Sequence, residues 1–600
     1  MYHLDKFVES IQDAGWKSSF KGIFFPVSMV VFLVLSPKIA VAESPVDVIL
    51  ESMSQEEKVG QLMMIGFPGK ELNRHALKWV GERRVGGVAL FGRNIKNSTQ
   101  VRRYTRQLQG LAEKSGVPIF ISLDQEGGNV VRIRHGAAVL PGNMALGATR
   151  SPTLAYVAGQ VVGNDLRRLG FNMNLAPVLD VNSNPRNPVI GIRSFGESPQ
   201  LVSLLGTWMV RGLQDMGVVP VAKHFPGHGD TCDDSHFALP SIRADATRLR
   251  EVELVPFQQA IDAGLDALMT AHIALPKYAE KPDIPATLSR RLLTDELRHK
   301  MGFDGVVITD GLEMQGIVES YGSGEAAVRA IQAGADMAMV LWTSHRREEV
   351  YRHLLRAVRK GEISGDRLDL SVRRILMVKY RRGLFHQWAE ERKPIEKEDS
   401  LVHDAVVQRI ADESVTLVRN YADLIPVKPE RFGKIDVVGP RGVFLNTLSK
   451  AGQYSIHRIP SLPSYRKARW WAQRLAEELR HTELLIFAIA NTNQLKILRE
   501  LTKLLPFQLV IGVSLGSPYL IENIPEVDAF LCSYSYQATS QRAAANVLLG
   551  KVVPNGRLPV SIPGMFPYGH RAPTVANSSW EFSWISPVDD STETVFVGNQ

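Results

Sequence analysis

From Ser44 onward the chain alternates short apolar, β-branched runs with longer stretches whose apolar positions recur at helical spacing. That rhythm is the pattern of βα units feeding a parallel sheet. The apolar runs predict strands at 61–66, 87–91, 118–123, 172–178, 218–222, 267–271, 305–309 and 337–341. The helix after Ser54 opens with Ser-x-x-Glu (Ser54, Glu57), the capping-box signature of a helix start. Eight strands with helical spacers, over roughly 340 residues, predict a closed (β/α)8 TIM-like barrel rather than an open sheet. A helix over 368–382 closes it, and the charged, apolar-poor stretch 392–400 reads as linker. Further strands at 434–438, 484–489, 509–513 and 529–533, with a helix over 465–480 among them, predict a second, smaller open α/β sandwich domain. The resulting division is 1–43 outside the fold, 44–390 barrel, 391–404 linker, 405–576 second domain and 577–600 tail.

What stands after the barrel strands changes the picture. Asp124 ends the third, Asp180 follows the fourth, Lys223 and His224 end the fifth, His272 the sixth and Asp310 the seventh. The C-terminal edge of such a barrel carries the active site, so these groups are expected to converge. One strand ending in Asp signals little, because Asp also caps helices; five polar strand ends signal a site.

A length of 600 residues exceeds what one hydrophobic core organises, and 44% hydrophobic with 22% charged residues excludes wholesale disorder. The formal charge of +8 comes from 70 basic and 62 acidic residues that are well interleaved, which reads as a solvated surface and calls for no nucleic-acid partner. Cys232 and Cys532 lie in different predicted domains and are expected to be free thiols. Lys17 and Lys21, the apolar run 22–35 and Ala40-Val41-Ala42 are the parts of a secretory signal cleaved after Ala42. The run is short for a span of ~20 residues and holds Pro26, so export is expected, with an uncleaved anchor as the alternative.

Four motifs carry chemistry. The first runs Lys223-His224-Phe225-Pro226-Gly227-His228-Gly229-Asp230-Thr231-Cys232-Asp233-Asp234-Ser235-His236. Its Pro and glycines build a tight loop, and Asp234 stands two residues from His236, a spacing at which a carboxylate orients a proton-carrying imidazole. A metal held by His224, His228 and His236 is a rival reading that Lys223 opposes electrostatically; a Schiff base on Lys223 is another, and it leaves the Asp-Ser-His pair unexplained. The second motif, Thr309-Asp310-Gly311-Leu312-Glu313-Met314, puts a carboxylate at a strand end, with Gly311 expected to let the backbone bend there. The third and fourth are Asp124-Gln125-Glu126-Gly127-Gly128-Asn129-Val130-Val131-Arg132 and Asn187-Pro188-Val189-Ile190-Gly191-Ile192-Arg193-Ser194-Phe195-Gly196.

Together and in this order, the motifs resemble family 3 glycoside hydrolases, and the Lys223–His236 loop resembles the β-N-acetylglucosaminidase branch. The resemblance covers about 44–384 and extends more faintly through 415–424, 512–518 and 550–563. It implies Asp310 as nucleophile, His236 as acid/base and Asp234 as the partner that orients it. It implies Asp124, Arg132, Arg193, Lys223 and His224 as the residues that hold the sugar. Gly311 and Glu313 depart from the family's usual residues after the nucleophile. The expected activity is retaining exo-hydrolysis of terminal N-acetylglucosamine from cell-wall muropeptides or chitin oligosaccharides. No cofactor, metal or stable membrane partner is implied, and the chain is expected to act as a monomer. Phosphorolysis of the same bond and a catalytically retired wall-binding protein are the alternatives.

Overall fold

The computed structural model describes residues 44–232, 239–387, 397–505 and 509–574. They fall into two compact units that divide between Ala411 and Asp412. The stretch read as linker is helical from Lys397, in a helix that runs to Ser414.

In the first unit eight strands close a barrel: β1 (Met63–Ile65), β2 (Gly87–Ala89), β3 (Phe120–Leu123), β4 (Met173–Asn174), β5 (Val219–Phe225), β6 (Ala267–Thr270), β7 (Val306–Gly311) and β8 (Met337–Val340). Each pairs in parallel with its neighbours, and β8 returns to β1. All eight strands expected from the apolar runs are present. The capping box forms as expected: Ser54 Oγ accepts from Glu57 N at 3.3 Å, and Ser54 N donates back to Glu57 Oε2 at 2.9 Å.

The largest difference in length is at β4, two residues where seven were expected. Side-chain amides supplement its backbone ladder. Asn172 Oδ1 accepts from Ile121 N at 2.7 Å, Asn174 Oδ1 accepts from Gln125 N at 3.0 Å, and Pro177 has no N–H to offer. A hairpin that the sequence did not announce, Gln125–Gly127 against Val130–Val131, follows β3.

The strand that bears Asp310 is fixed at both ends. Asp336 Oδ2 accepts from Val307 N at 3.0 Å while Arg298 and Arg374 neutralise its carboxylate, and Thr309 Oγ1 accepts from Met339 N at 3.0 Å. The helix Gly365–Arg381 buries Lys379 fully, and its amine donates to Gln61 Oε1 at 2.7 Å.

The second unit is a six-stranded sheet: β9 (Thr416–Asn420), β10 (Ile435–Pro440), β11 (Ser455–Ile459), β12 (Leu484–Ile489), β13 (Leu509–Ser514) and β14 (Ala529–Cys532), in the order β9-β14-β13-β12-β10-β11. Only the edge pair β9–β14 is antiparallel. The four expected strands form its centre, and the two edges are additions. Both cysteines are free thiols, Cys232 exposed and Cys532 buried.

Candidate active site

The hairpin after β3 explains how distant sequence motifs meet. Gln125 Oε1 accepts from Arg132 N and Ile133 N, at 3.0 and 3.1 Å, which folds Arg132 back over the strand end. Its guanidinium then donates to Asp124 Oδ2 at 2.9 Å. Lys223, only 2% exposed in β5, donates to Asp124 Oδ1 at 2.9 Å and lies 2.6 Å from Glu126 Oε1. Arg193 closes the set on Glu126 with two hydrogen bonds.

Burial alone would raise the Asp124 carboxyl, but the charges of Lys223 and Arg132 hold it below its ordinary value. Glu126 is likewise held low against burial by Arg193 and Lys223. Burial pulls the Lys223 ammonium down, and Asp124 with Glu126 more than reverse that, so it remains charged. A lysine kept protonated between two carboxylates is no carbonyl nucleophile, which removes the Schiff-base reading.

Asp180 organises the histidine loop. Its Oδ2 lies 2.7 Å from His224 Nδ1, and its Oδ1 accepts from His224 N and His228 N, at 3.1 and 2.7 Å. The His224 Nε2 faces the Arg193 Nη2 at 3.5 Å. With a carboxylate at Nδ1 and a guanidinium donor facing Nε2, the Nδ1–H is directed at Asp180. His228 points its Nδ1 at Thr231 Oγ1, 2.8 Å away. Both described histidines of the metal reading are thus turned to protein groups, and among the described residues no cluster of three or more His, Cys, Asp or Glu is arranged for a metal ion. His236 and Asp234 lie outside the described residues.

The base of that loop is stapled by Asn187, whose amide donates to the carbonyls of His228 and Gly229, at 2.8 and 3.0 Å, while its Oδ1 accepts from Val189 N and Ile190 N. The fourth motif therefore does two jobs: Arg193 serves the pocket, and Asn187 seats the histidine loop. Gly229 is required by space, since a Cβ there would lie 1.7 Å from the Val181 carbonyl oxygen.

Asp310 ends β7 with Oδ1 accepting from Gly311 N at 2.7 Å, and among the described residues nothing donates to Oδ2. Burial would raise this carboxyl, but His272, His224, the Gly311 N–H and Lys223 keep it low and ionised. His272 is buried close by, its Nε2 3.1 Å from the Gly311 carbonyl and its Nδ1 2.8 Å from Thr287 Oγ1. The expectation that Gly311 is needed for a bend is corrected: it lies in strand, outside the left-handed region, and a Cβ would make only ordinary contact with Leu341 at 3.5 Å.

Glu313 also finds its role. Its carboxylate accepts from Leu341 N, Trp342 N and Thr343 N, at 2.6, 2.7 and 2.5 Å, and so fixes the turn after β8. Trp342 on that turn is 52% exposed, with its ring 4.4 Å from that of Phe91 and the Arg93 guanidinium over both. Arg132 covers Phe91 at 5.4 Å, so this aromatic rim adjoins the Asp124 cluster.

The structure thus brings together Asp124, Arg132, Arg193, Lys223 and His224, and places Asp310 in the electrostatic reach of Lys223 and His224. Asp180 is expected at the site as a strand-end group but has no assigned role, and Glu126 is not expected there. Asp180 was visible as a strand-end carboxylate and Glu126 as part of the third motif, but only the fold reveals their partners. The cluster offers fixed donors and acceptors for a polyhydroxylated ligand around one ionised carboxylate with an open oxygen.

Residues 54–378 match the glycosyl hydrolase family 3 N-terminal domain, and residues 476–581 match that family's C-terminal domain. The chain is 38% identical over 317 residues to beta-hexosaminidase A of Pseudoalteromonas piscicida, a match over 49% of this chain and 53% of that protein, about half the relative's length. It is 37% identical over 284 residues to a beta-hexosaminidase of Thiobacillus denitrificans, 46% of this chain and 77% of that one. Among solved structures, a glycoside hydrolase family 3 β-N-acetylglucosaminidase from Paenibacillus sp. str. FPU-7 superposes with a TM-score of 0.78 at 38% identity, over 85% of this chain and 99% of its own. The site geometry and these matches agree: the chain belongs to glycosyl hydrolase family 3.

Proposed function

We propose that the protein is a retaining exo-β-N-acetylglucosaminidase that releases terminal N-acetylglucosamine from cell-wall muropeptides or chitin oligosaccharides. The observation that carries this reading is the ionised Asp310 carboxylate with its open Oδ2, beside a pocket of fixed sugar-binding donors and acceptors. The names of the relatives support the choice of sugar.

In this reading Asp310 attacks the anomeric carbon as the glycosidic C–O bond breaks, and His236, oriented by Asp234, protonates the departing oxygen. The same imidazole then takes a proton from water, which attacks the anomeric carbon and frees Asp310. A neutral-pH imidazole serves as acid without the large upward shift a carboxylic acid needs. Asp124, Lys223, His224, Arg132 and Arg193 hold the sugar. The exposed indole of Trp342 supports a second sugar lying beyond the cleaved bond. The motif set of residues 17–42 supports export.

Proton NMR of early hydrolysis tests the mechanism: the first product is expected to be the β-anomer. Asp310→Ala is expected to lower kcat by several orders of magnitude while sugar binding largely survives. An α-anomer first product, or a variant with near-normal kcat, overturns it.

A further inference from the structure

A cavity of about 820 Å³ opens on the flank of the barrel, between the helix α1 (Ser98–Glu113) and the helix α2 (Pro152–Arg168), and its lining holds none of the barrel-strand residues. Arg102, Arg103 and Arg106 of α1, Arg168 of α2, and Arg134 with His135 line it. Several other arginines of the barrel are paired with carboxylates, Arg193 with Glu126, Arg250 with Glu296, and Arg298 with Asp336. Here, among the described residues, Arg102, Arg103, Arg106 and Arg134 have no carboxylate partner. Of the two acids in the lining, Asp165 is committed, accepting from Ala138 N at 2.7 Å and lying 2.9 Å from His403 Nδ1. Asp404 is exposed and forms no ion pair with the arginines among the described residues.

Arg102 and Arg106 stand one turn apart on the same helix face, where like charges work against the helix. A fold that concentrates uncompensated guanidiniums around a concavity is carrying a cost that a bound anion would cancel. The positive end of α1 adds to the same field, since Ser98 and Thr99, its first residues, also line the cavity. The volume is that of a small-molecule pocket, and a single phosphate would leave most of it empty. Guanidiniums spaced about 5.4 Å along a helix suit neighbouring multiply charged groups better than one isolated carboxylate.

We propose that this cavity binds a small organic anion carrying two or more adjacent phosphate groups. The site also shares its chain with the sugar pocket. Arg134 follows Arg132 by two residues, and between them Ile133 N is anchored on Gln125.

Titration calorimetry on the full chain, with inorganic triphosphate as the probe and citrate as a carboxylate control, tests this. Triphosphate is expected to bind and to raise the melting temperature, with citrate at least about tenfold weaker, as expected if phosphate geometry is recognised. The double variant R102Q/R106Q is expected to weaken triphosphate by about tenfold or more, since each charge-assisted hydrogen bond contributes roughly one such factor. Neither arginine touches the sugar pocket, and relief of their repulsion should leave the ligand-free melting temperature unchanged or higher. R134Q is the independent second variant and is expected to weaken the probe as well. Absence of binding, binding indifferent to all three substitutions, or citrate binding as tightly as triphosphate overturns the proposal and leaves the cavity to the chain's own carboxylates.

Discussion

Arg193 grips Glu126 with a two-pronged contact, Nε to Oε2 at 2.9 Å and Nη2 to Oε1 at 2.8 Å, although 67 positions separate them in the chain. This pair holds the third and fourth motifs together and sets where the Arg193 guanidinium faces His224. Replacing Glu126 by Gln leaves Arg193 and Lys223 buried beside a neutral amide. Breaking a buried pair costs about 3–5 kcal/mol, and the amide recovers part of it by hydrogen bonding. Glu126→Gln is therefore expected to lower the melting temperature and reduce kcat/KM by about a hundredfold, mainly through KM. Denaturant unfolding with steady-state kinetics checks it; unchanged KM would mean that the pair does not shape the sugar pocket.

His228 makes the loop acid-sensitive. Burial, reinforced by His224 and Arg193 and only partly opposed by Asp180, holds this imidazole at about 4 against an ordinary 6.5. A depressed value means the neutral ring is favoured by the fold. Its contribution is complete above pH 6.5, erodes as pH falls toward 4, and is lost below that, on the order of 3 kcal/mol. Thermal melts from pH 7 to pH 4 should fall more steeply for the wild type than for His228→Gln. Parallel curves would show that another group controls this window.

Gly229 is a backbone passage. Any side chain there drives into the Val181 carbonyl, and because Asn187 pins the neighbouring carbonyls, the strain passes to the residues that follow. Gly229→Ala is expected to reduce kcat by about a hundredfold, the scale of a 1 Å misplacement of reacting groups. Circular dichroism should show the barrel intact. A fully active variant would show that the loop's seat is dispensable.

Trp342 gives a test that separates the second sugar from the first. Loss of one stacking face is worth about 0.5–1.5 kcal/mol, or roughly two- to twelvefold in affinity. Trp342→Ala should raise KM for the N-acetylglucosamine β-1,4-disaccharide by that factor and leave KM for N-acetylglucosaminyl fluoride, which lacks a second ring, unchanged. Equal effects on both would assign the indole to the fold rather than to the substrate.

The barrel was legible because its strands are buried on both faces and read as unbroken apolar runs. The edges of the second sheet were not. Ser455–Ile459 interleaves polar with apolar residues, and only Ile459 is buried, so no apolar run marks it. The hairpin after β3 was hidden for a different reason: its two strands are three and two residues long, held by the Gln125 side chain as much as by backbone pairing. In the site, strand-end carboxylates stood out by position, whereas Glu126 acquires meaning only through Arg193 and Lys223, neighbours in space but far along the chain. Gly311 misled because a glycine after an aspartate suggests a bend, while the extended backbone there would accommodate a methyl group.

The pocket's ion pairs also sort its carboxylates. Asp124, Glu126, Asp180 and Asp310 are four carboxylates held ionised, with Arg132, Arg193 and Lys223 as the fixed cations among them. The first three have both oxygens engaged, whereas Asp310 keeps Oδ2 open among the described residues, so it is the carboxylate that can face a positive centre. A sugar undergoing glycosidic cleavage becomes positive at its ring oxygen and anomeric carbon. An enzyme that was neutral at rest would have to create its counter-charge during the reaction, whereas this fold has the anion in place before the substrate arrives.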